Sequence, residues 1–467
     1  MKKRTAAAVL FIFACALFLD AQTASNPASS GGQTQTADDT QKTDLTQKRR
    51  DIIRYGIDSE VTDLIKTLDS DRDGSFNADL LDLLKNSRSA RLREAILDFF
   101  GDLGWNGAEA DALAFVENRD SLDTSLVARS LAYLASIKSK KALAYVPKLI
   151  DENNRLIVVQ AISLAGKAGG SDEESVLLKW LESDAPTNDL REAAIRALGD
   201  IGSEAACAKL MKLVESGDEA KMTRVYACEA LGKIGRKEAV PSLVKAANGD
   251  DPNVRGAAVM ALASFDGAEA ENAVIEALRD SVASVRSSAI KACAKKKLAA
   301  SVPALIYKAS SDPEKSIKTD ALKGLSEIGG TAAMRFLRDY VSGDKNDSSL
   351  RAVVFGLLLH KDTGPSLGML SDLLKKEQKE KSRDLFTQFA RAAAGASDVP
   401  AACPLIRILL ADSDYQIRLG ALEWARKSKS QDIKADLEAI AANDSSENMR
   451  RRAKDILESY SSAGSSK

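Results

Sequence analysis

At 467 residues the chain is too long for one ordinary hydrophobic core, and with 45% hydrophobic but only 5% aromatic residues its apolar mass is mostly Ala, Leu, Val and Ile. A formal net charge of −1 gives no electrostatic ground for a nucleic-acid partner, and one histidine excludes His-rich zinc sites. Good helix formers without aromatic core anchors point to a helical array rather than to two or three globular domains.

Taken in chain order, Lys2, Lys3 and Arg4 precede an apolar stretch over residues 6–19. The stretch is shorter than the roughly 20 residues that a spanning helix needs. The spacing predicts a signal peptide over residues 1–21, cleaved after Ala21, and so a periplasmic or secreted protein. Cys15 would anchor the chain to a membrane if it carried lipid, but Ala16, Leu17, Phe18 and Leu19 continue the apolar run past it, which favours plain export. Residues 22–46 are rich in Ser, Gly, Gln, Thr and Asp and read as a disordered linker. The tail, residues 461–467, reads the same way.

Between two predicted helices, Asp69, Asp71, Asp73 and Gly74 form a D-x-D-x-D-G loop. Alternate carboxylates and a glycine suit a structural calcium ion. Position twelve is Leu80 rather than an acid, and Arg72 adds positive charge inside the loop. The other reading is a solvated turn with Asn77 capping the next helix.

One pattern then recurs. Its clearest copy is Leu190-Arg191 followed by Ala193, Ala194, Ile195, Leu198, Ile201 and Gly202. Taking the basic residue as an anchor gives 191, 224, 255, 286, 318, 351, 383, 418 and 450, with Val158, Arg129 and Arg93 as earlier, poorer matches. Each unit reads as two helices. The anchor helix stops at a glycine such as Gly202 or Gly235, and the second helix opens at Pro147, Pro241, Pro303 or Pro404. An acid six residues before the anchor (Asp280, Asp312, Asp412, Asp444) is placed to cap its turn and to pair with the anchor Arg of the adjacent unit.

This pattern of acidic turn, Arg, Ala-rich helix and Gly-x-Ile-Gly resembles the HEAT-like repeat, above all the short variety of phycobilisome-lyase-type proteins. The resemblance implies an all-α fold, an α-solenoid of about twelve helical hairpins over residues 47–460. It also implies a concave face that binds proteins. Some relatives act on bilins, but no catalytic residue of that kind is found here, and the reading is of a non-enzyme without a cofactor.

Two columns of the repeat carry further expectations. Six residues after each anchor, Ala197, Ala230, Ala261 and Ala292 are small while Phe99, Phe389 and Trp424 are large. This predicts tight stacking over residues 190–330 and looser packing toward both ends. Five residues after each anchor, Arg196, Glu229, Met260, Lys291 and Lys323 occupy the middle of the predicted concave face and are the candidate protein-binding residues. Without a continuous basic stripe interleaved with aromatics, that face does not suit nucleic acid. Cys228, Cys293 and Cys403 fall on core positions, and a Cys207–Cys228 disulfide across one hairpin is left open. His360 reads as a structural helix-end residue. The preferred function is an exported scaffold or adaptor; an envelope-anchored lipoprotein and a bilin-lyase-like enzyme are the alternatives.

Overall fold

The computed structural model describes residues 37–182, 187–380 and 383–463. The predicted leader, Cys15 and most of the predicted linker lie outside the described residues. Among the described residues there are 26 α-helices and no strand. A leading helix, Ala37–Tyr55, is followed by twelve helix pairs and one closing helix, Glu447–Ala463. The pairs run from repeat 1 (Asp58–Asp71 with Asn77–Asn86) to repeat 12 (Tyr415–Ser428 with Lys434–Asn443).

Repeat 5 shows why each anchor helix starts and stops where it does. Its helix, Asn188–Ile201, buries Ala194, Ile195, Ala197 and Leu198 on one stripe. It ends at Gly202, whose φ of 78° turns the chain left-handed and returns its N–H to the last carbonyls. A positive φ recurs eleven residues after each of several anchors, at Gly104, Gly235 and Gly329 but also at Lys138, Lys297, Lys429 and Arg72. This column corrects the register at the N-terminal end. Lys138 makes Val127, not Arg129, the anchor of repeat 3, and Arg72 makes Val61 the anchor of an additional first repeat. The second helices open at Pro147, Pro241, Pro303 and Pro404 as expected, each in the first helical turn. Two boundaries differ from expectation: the leading helix starts at Ala37, inside the segment read as linker, and the closing helix runs to Ala463.

Arg72 also accounts for the acidic loop. It is the left-handed stop of repeat 1, and Leu80, at position twelve, is fully buried in the core. Asp73 caps Ser75 and takes a hydrogen bond of 3.1 Å from Arg49 of the leading helix. Asp71 lies 3.9 Å from the same guanidinium. Among the described residues no three His, Cys, Asp or Glu side chains gather as a metal would require.

Neighbouring repeats are tied by a ladder of arginines. Arg286 donates through Nη1 to the Asp280 carbonyl of its own turn at 3.0 Å, and through Nη2 to the Asp312 carboxylate of the next turn at 2.9 Å. Arg418 does the same with the Asp412 carbonyl and Asp444, and Arg255 grips Asp280 with two parallel bonds of 2.8 and 2.9 Å. Each of these acids also accepts the backbone N–H two residues on: Val282, Glu314 and Ser446. One carboxylate therefore caps its own turn and receives the preceding repeat.

A seam of small residues sets how closely the anchor helices approach. A Cβ added to Gly166, Gly199 or Gly232 would lie 2.6, 2.8 or 2.9 Å from the Cα of Ala197, Ala230 or Ala261 on the next anchor helix. The contact pairs position eight after one anchor with position six after the next. Close packing of anchor helices extends from Ala90–Leu103 through Lys315–Ile328, further toward the N-terminus than position six alone predicts. Gly101 and Gly166 give the needed room there. Beyond repeat 9 both positions carry large residues (Leu359 and Phe389, Arg391 and Trp424) and the helices touch less, with Phe355 stacked on Phe389 at 4.5 Å.

Two outcomes follow for stability. The Arg286–Asp312 pair is 7% and 0% exposed. Asp312→Ala leaves a buried cation behind and is expected to weaken the repeat 8–9 interface by about 3–5 kcal/mol, splitting the urea transition, whereas Asp63→Ala on an exposed pair leaves it unchanged. The carboxyls of Asp280 and Asp312 lie below their usual range. The Arg255 hydrogen bond dominates at Asp280; at Asp312 burial opposes, and bonds from Arg286, Glu314 N–H and Lys308 outweigh it. Their folded pKa values sit below 3.8, so this stabilisation is complete above about pH 5 and is lost as pH falls through the lowered values. Melting temperatures should be flat from pH 7 to 5 and drop below pH 4, less steeply in Asp280→Asn.

The seam is tested by Gly199→Ala. Alanine favours a helix, yet here its methyl meets a backbone, so a loss of about 1–3 kcal/mol is expected. Gly368→Ala, mid-helix with nothing within 4 Å, should instead gain about 0.5–1 kcal/mol. Equal effects at the two sites would contradict the seam.

Candidate functional site

Anchor helices of neighbouring repeats pack directly on one another, while the second helices of neighbouring repeats touch far less. A stack drawn together on one layer and splayed on the other curves with the tight layer inside, so the anchor helices line the concave face. The two ends of the chain agree with this. Asp44, Leu45 and Lys48 of the leading helix share a cleft of about 830 Å³ with Leu419, Glu423, Arg452 and Asp455, all on anchor-type helices of repeat 12 and the closing helix. The leading helix is held to repeat 1 by Ile53, which is buried, and by Arg49 and Arg50 on Asp73 and Asp79.

The middle of the concave face carries a hollow of about 350 Å³. It is lined by Met222, Val225 and Glu229 of repeat 6 and by Met260 of repeat 7. The floor is Gly256, Ala257, Ser284 and Ser288. The hollow exists because the positions just after the anchors of repeats 7 and 8 are small, whereas repeat 6 fills them with Val225 and Tyr226. Met222 is 46% exposed, and Leu156, two residues before its own anchor like Met222, is equally so.

The five predicted binding residues fall as follows. Glu229 and Met260 line the hollow together. Arg196, one repeat earlier, is exposed and lies over the Tyr226 ring, 4.7 Å from its centre, with Nε donating to the Glu192 carbonyl at 3.4 Å. Lys291 and Lys323 are exposed on repeats 8 and 9 and lie outside the hollow. Among the described residues Arg196, Glu229, Lys291 and Lys323 make no ion pair. Elsewhere in the same column Asp98 is paired with Arg129 at 3.2 Å and Glu423 with Arg426 at 2.6 Å, while Asp455 on the closing helix is exposed. With Val127 as anchor, repeat 3 contributes Ala132 to this column in place of the fully buried Leu134. Sequence reading missed Met222, Gly256, Ala257, Ser284 and Ser288. The columns two before and one or two after the anchor would have found them.

Other reactive groups are isolated. His360 Nδ1 lies 3.6 Å from Asp398 in an exposed position. Cys207, Cys228, Cys293 and Cys403 are free and buried, so the Cys207–Cys228 bridge is not formed. Burial pushes the thiol of Cys228 up to about 12 and that of Cys293 up to about 11.

In sequence, residues 53–456 match the family described as Spirochaete HEAT repeat protein. No curated protein matches the chain. Among solved structures, the complex of CpcE and CpcF of phycocyanin lyase from Nostoc sp. is 22% identical, with a TM-score of 0.36 over 49% of this chain and 92% of that one. Importin beta in an ammonium sulfate condition is 13% identical, with a TM-score of 0.39 over 90% of this chain and 63% of that one. Human deoxyhypusine hydroxylase is 15% identical, with a TM-score of 0.27 over 62% of this chain and 99% of that one. The chain thus spans less than two thirds of that importin, and at these identities the likeness concerns the fold alone.

The raised thiol pKa values and burial give a direct check. At pH 8 the folded chain should leave Cys228 and Cys293 unmodified by a maleimide over an hour, as read by peptide mass spectrometry, and urea should expose both. Rapid modification without urea would contradict the packing described.

Proposed function

The chain belongs to the spirochaete HEAT repeat protein family, and from that premise we propose that it is an exported scaffold or adaptor that holds a protein partner against its concave face and performs no chemistry on it. The observation that carries this reading is the hollow between repeats 6 and 8. It combines apolar walls, the exposed Met222 and the half-buried Met260, with unpaired charges on either side. Methionine suits such a role, because its flexible thioether adapts to an apolar insert. The flanking repeats supply a preset surface, so binding there orders few side chains. Export, to the periplasm or the exterior, rests on the leader sequence, residues 1–21.

The test is a photo-crosslinking amino acid placed at Met260 or at Tyr307, an exposed residue on a second helix of repeat 8. Irradiation of cells should give a discrete adduct from position 260 and none from 307. No adduct from 260, or the same adducts from both positions, would overturn the reading.

A further inference from the structure

The run of unpaired residues five after the anchor spans repeats 5 to 9 without a gap: Arg196, Glu229, Met260, Lys291, Lys323. It is bounded by Ser163 on repeat 4 and Gly356 on repeat 10, neither of which carries charge. Successive members sit on successive anchor helices. Packed helix axes lie about 8–10 Å apart, and the glycine–alanine seam through repeats 4 to 7 draws these helices close. The column is therefore a line of positive, negative, apolar, positive and positive points with a regular step.

We propose that this line is read by an extended peptide segment of the partner, with complementary residues at every third position: acid, base, apolar, acid, acid. The inference rests on the scaffold reading above and specifies its partner. A polyproline-type extended chain turns once in three residues with a rise of about 3.1 Å each, so positions i, i+3 and i+6 share one face at steps of about 9 Å. That step lies inside the helix spacing. A helical partner presents i and i+7 on one face at about 10.5 Å, beyond it. The apolar residue enters the hollow between Met222 and Met260, whose floor of Gly256, Ala257 and Ser288 leaves room for one branched side chain. A base on one side meets Glu229, and acids on the other meet Lys291 and Lys323. Arg196, held flat by the Tyr226 ring, takes the outermost acid. Charge pairs at this spacing select partner and register, because a shift of one position sets an acid of the peptide against Glu229.

The test uses the full chain and a fluorescent synthetic peptide carrying Asp, Lys, Leu, Asp and Asp at every third position, separated by Gly, Ser and Pro. Anisotropy should show binding that weakens about tenfold or more when the same residues are placed at every fourth position, or when the chain carries Lys291→Glu with Lys323→Glu. A peptide with Lys in place of the last two Asp should recover binding to that double variant, which separates recognition from misfolding. Equal binding of the three- and four-residue spacings, tighter binding of a helical peptide with a seven-residue period, or no recovery by the charge-swapped peptide would each overturn the proposal. If the Met260 crosslink forms but the peptide fails, only this inference falls; if the crosslink itself fails, the scaffold reading falls with it.

Discussion

The C-terminal half of the stack depends on one recurring interaction, the arginine of an anchor helix on the aspartate that opens the next turn, made in repeats 7, 8, 11 and 12. The two charges are buried or nearly so between repeats 8 and 9, where the exposures are 7% and 0%. A buried pair gives little net stability against an apolar pair of equal volume, but losing one partner is costly. Its value here is geometric. The guanidinium of Arg286 holds the carbonyl of its own turn and the carboxylate of the following one, so repeat 8 fixes the position of repeat 9. In a linear array, where a repeat touches only the repeats beside it, such a link sets the register of the two repeats that it joins.

The seam works beside the ladder. Glycine at position eight and alanine at position six let the anchor helices of repeats 4 to 7 meet backbone to side chain. Bulk replaces these residues beyond repeat 9, and aromatic contacts such as Trp424 Nε1 donating to the Ala396 carbonyl at 2.7 Å fill the wider gap. The closest approach of the anchor helices thus falls in the stretch that carries the hollow. One stripe of each middle anchor helix faces the core, another faces the neighbouring anchor helix, and a third, which carries residues such as Arg196, Lys291 and Lys323, faces solvent.

Much of this was legible in the sequence, because the features that build the stack are residues with positive signatures. Arg, Asp, Pro and Gly at fixed offsets identify the repeats from Val158 to Arg450. The first repeats were harder because Val61 and Val127 replace the anchor arginine and Arg72 and Lys138 replace the stop glycine. The first half of the leading helix has almost nothing to bury, and its second half docks through Arg49 and Ile53. A sequence reader sees a linker there. The hollow escaped notice for a different reason: it is made by side chains that are missing, at Gly256, Ala257 and Ser288, and only the stacking of three repeats reveals the space they leave. In the D-x-D-x-D-G loop, a helix stop at Arg72 and a capping aspartate at Asp73, both features of the repeat, fall at ion-loop spacing.

The central claim is that the concave face of the middle repeats is occupied in the cell. Oxidative footprinting measures this directly, since Met222 and Met260 oxidise readily when water reaches them. The account predicts that both methionines are oxidised in the purified chain and protected in intact cells, with Tyr307 on the outer layer equally modified in the two. Equal oxidation of Met222 and Met260 in both settings would contradict it.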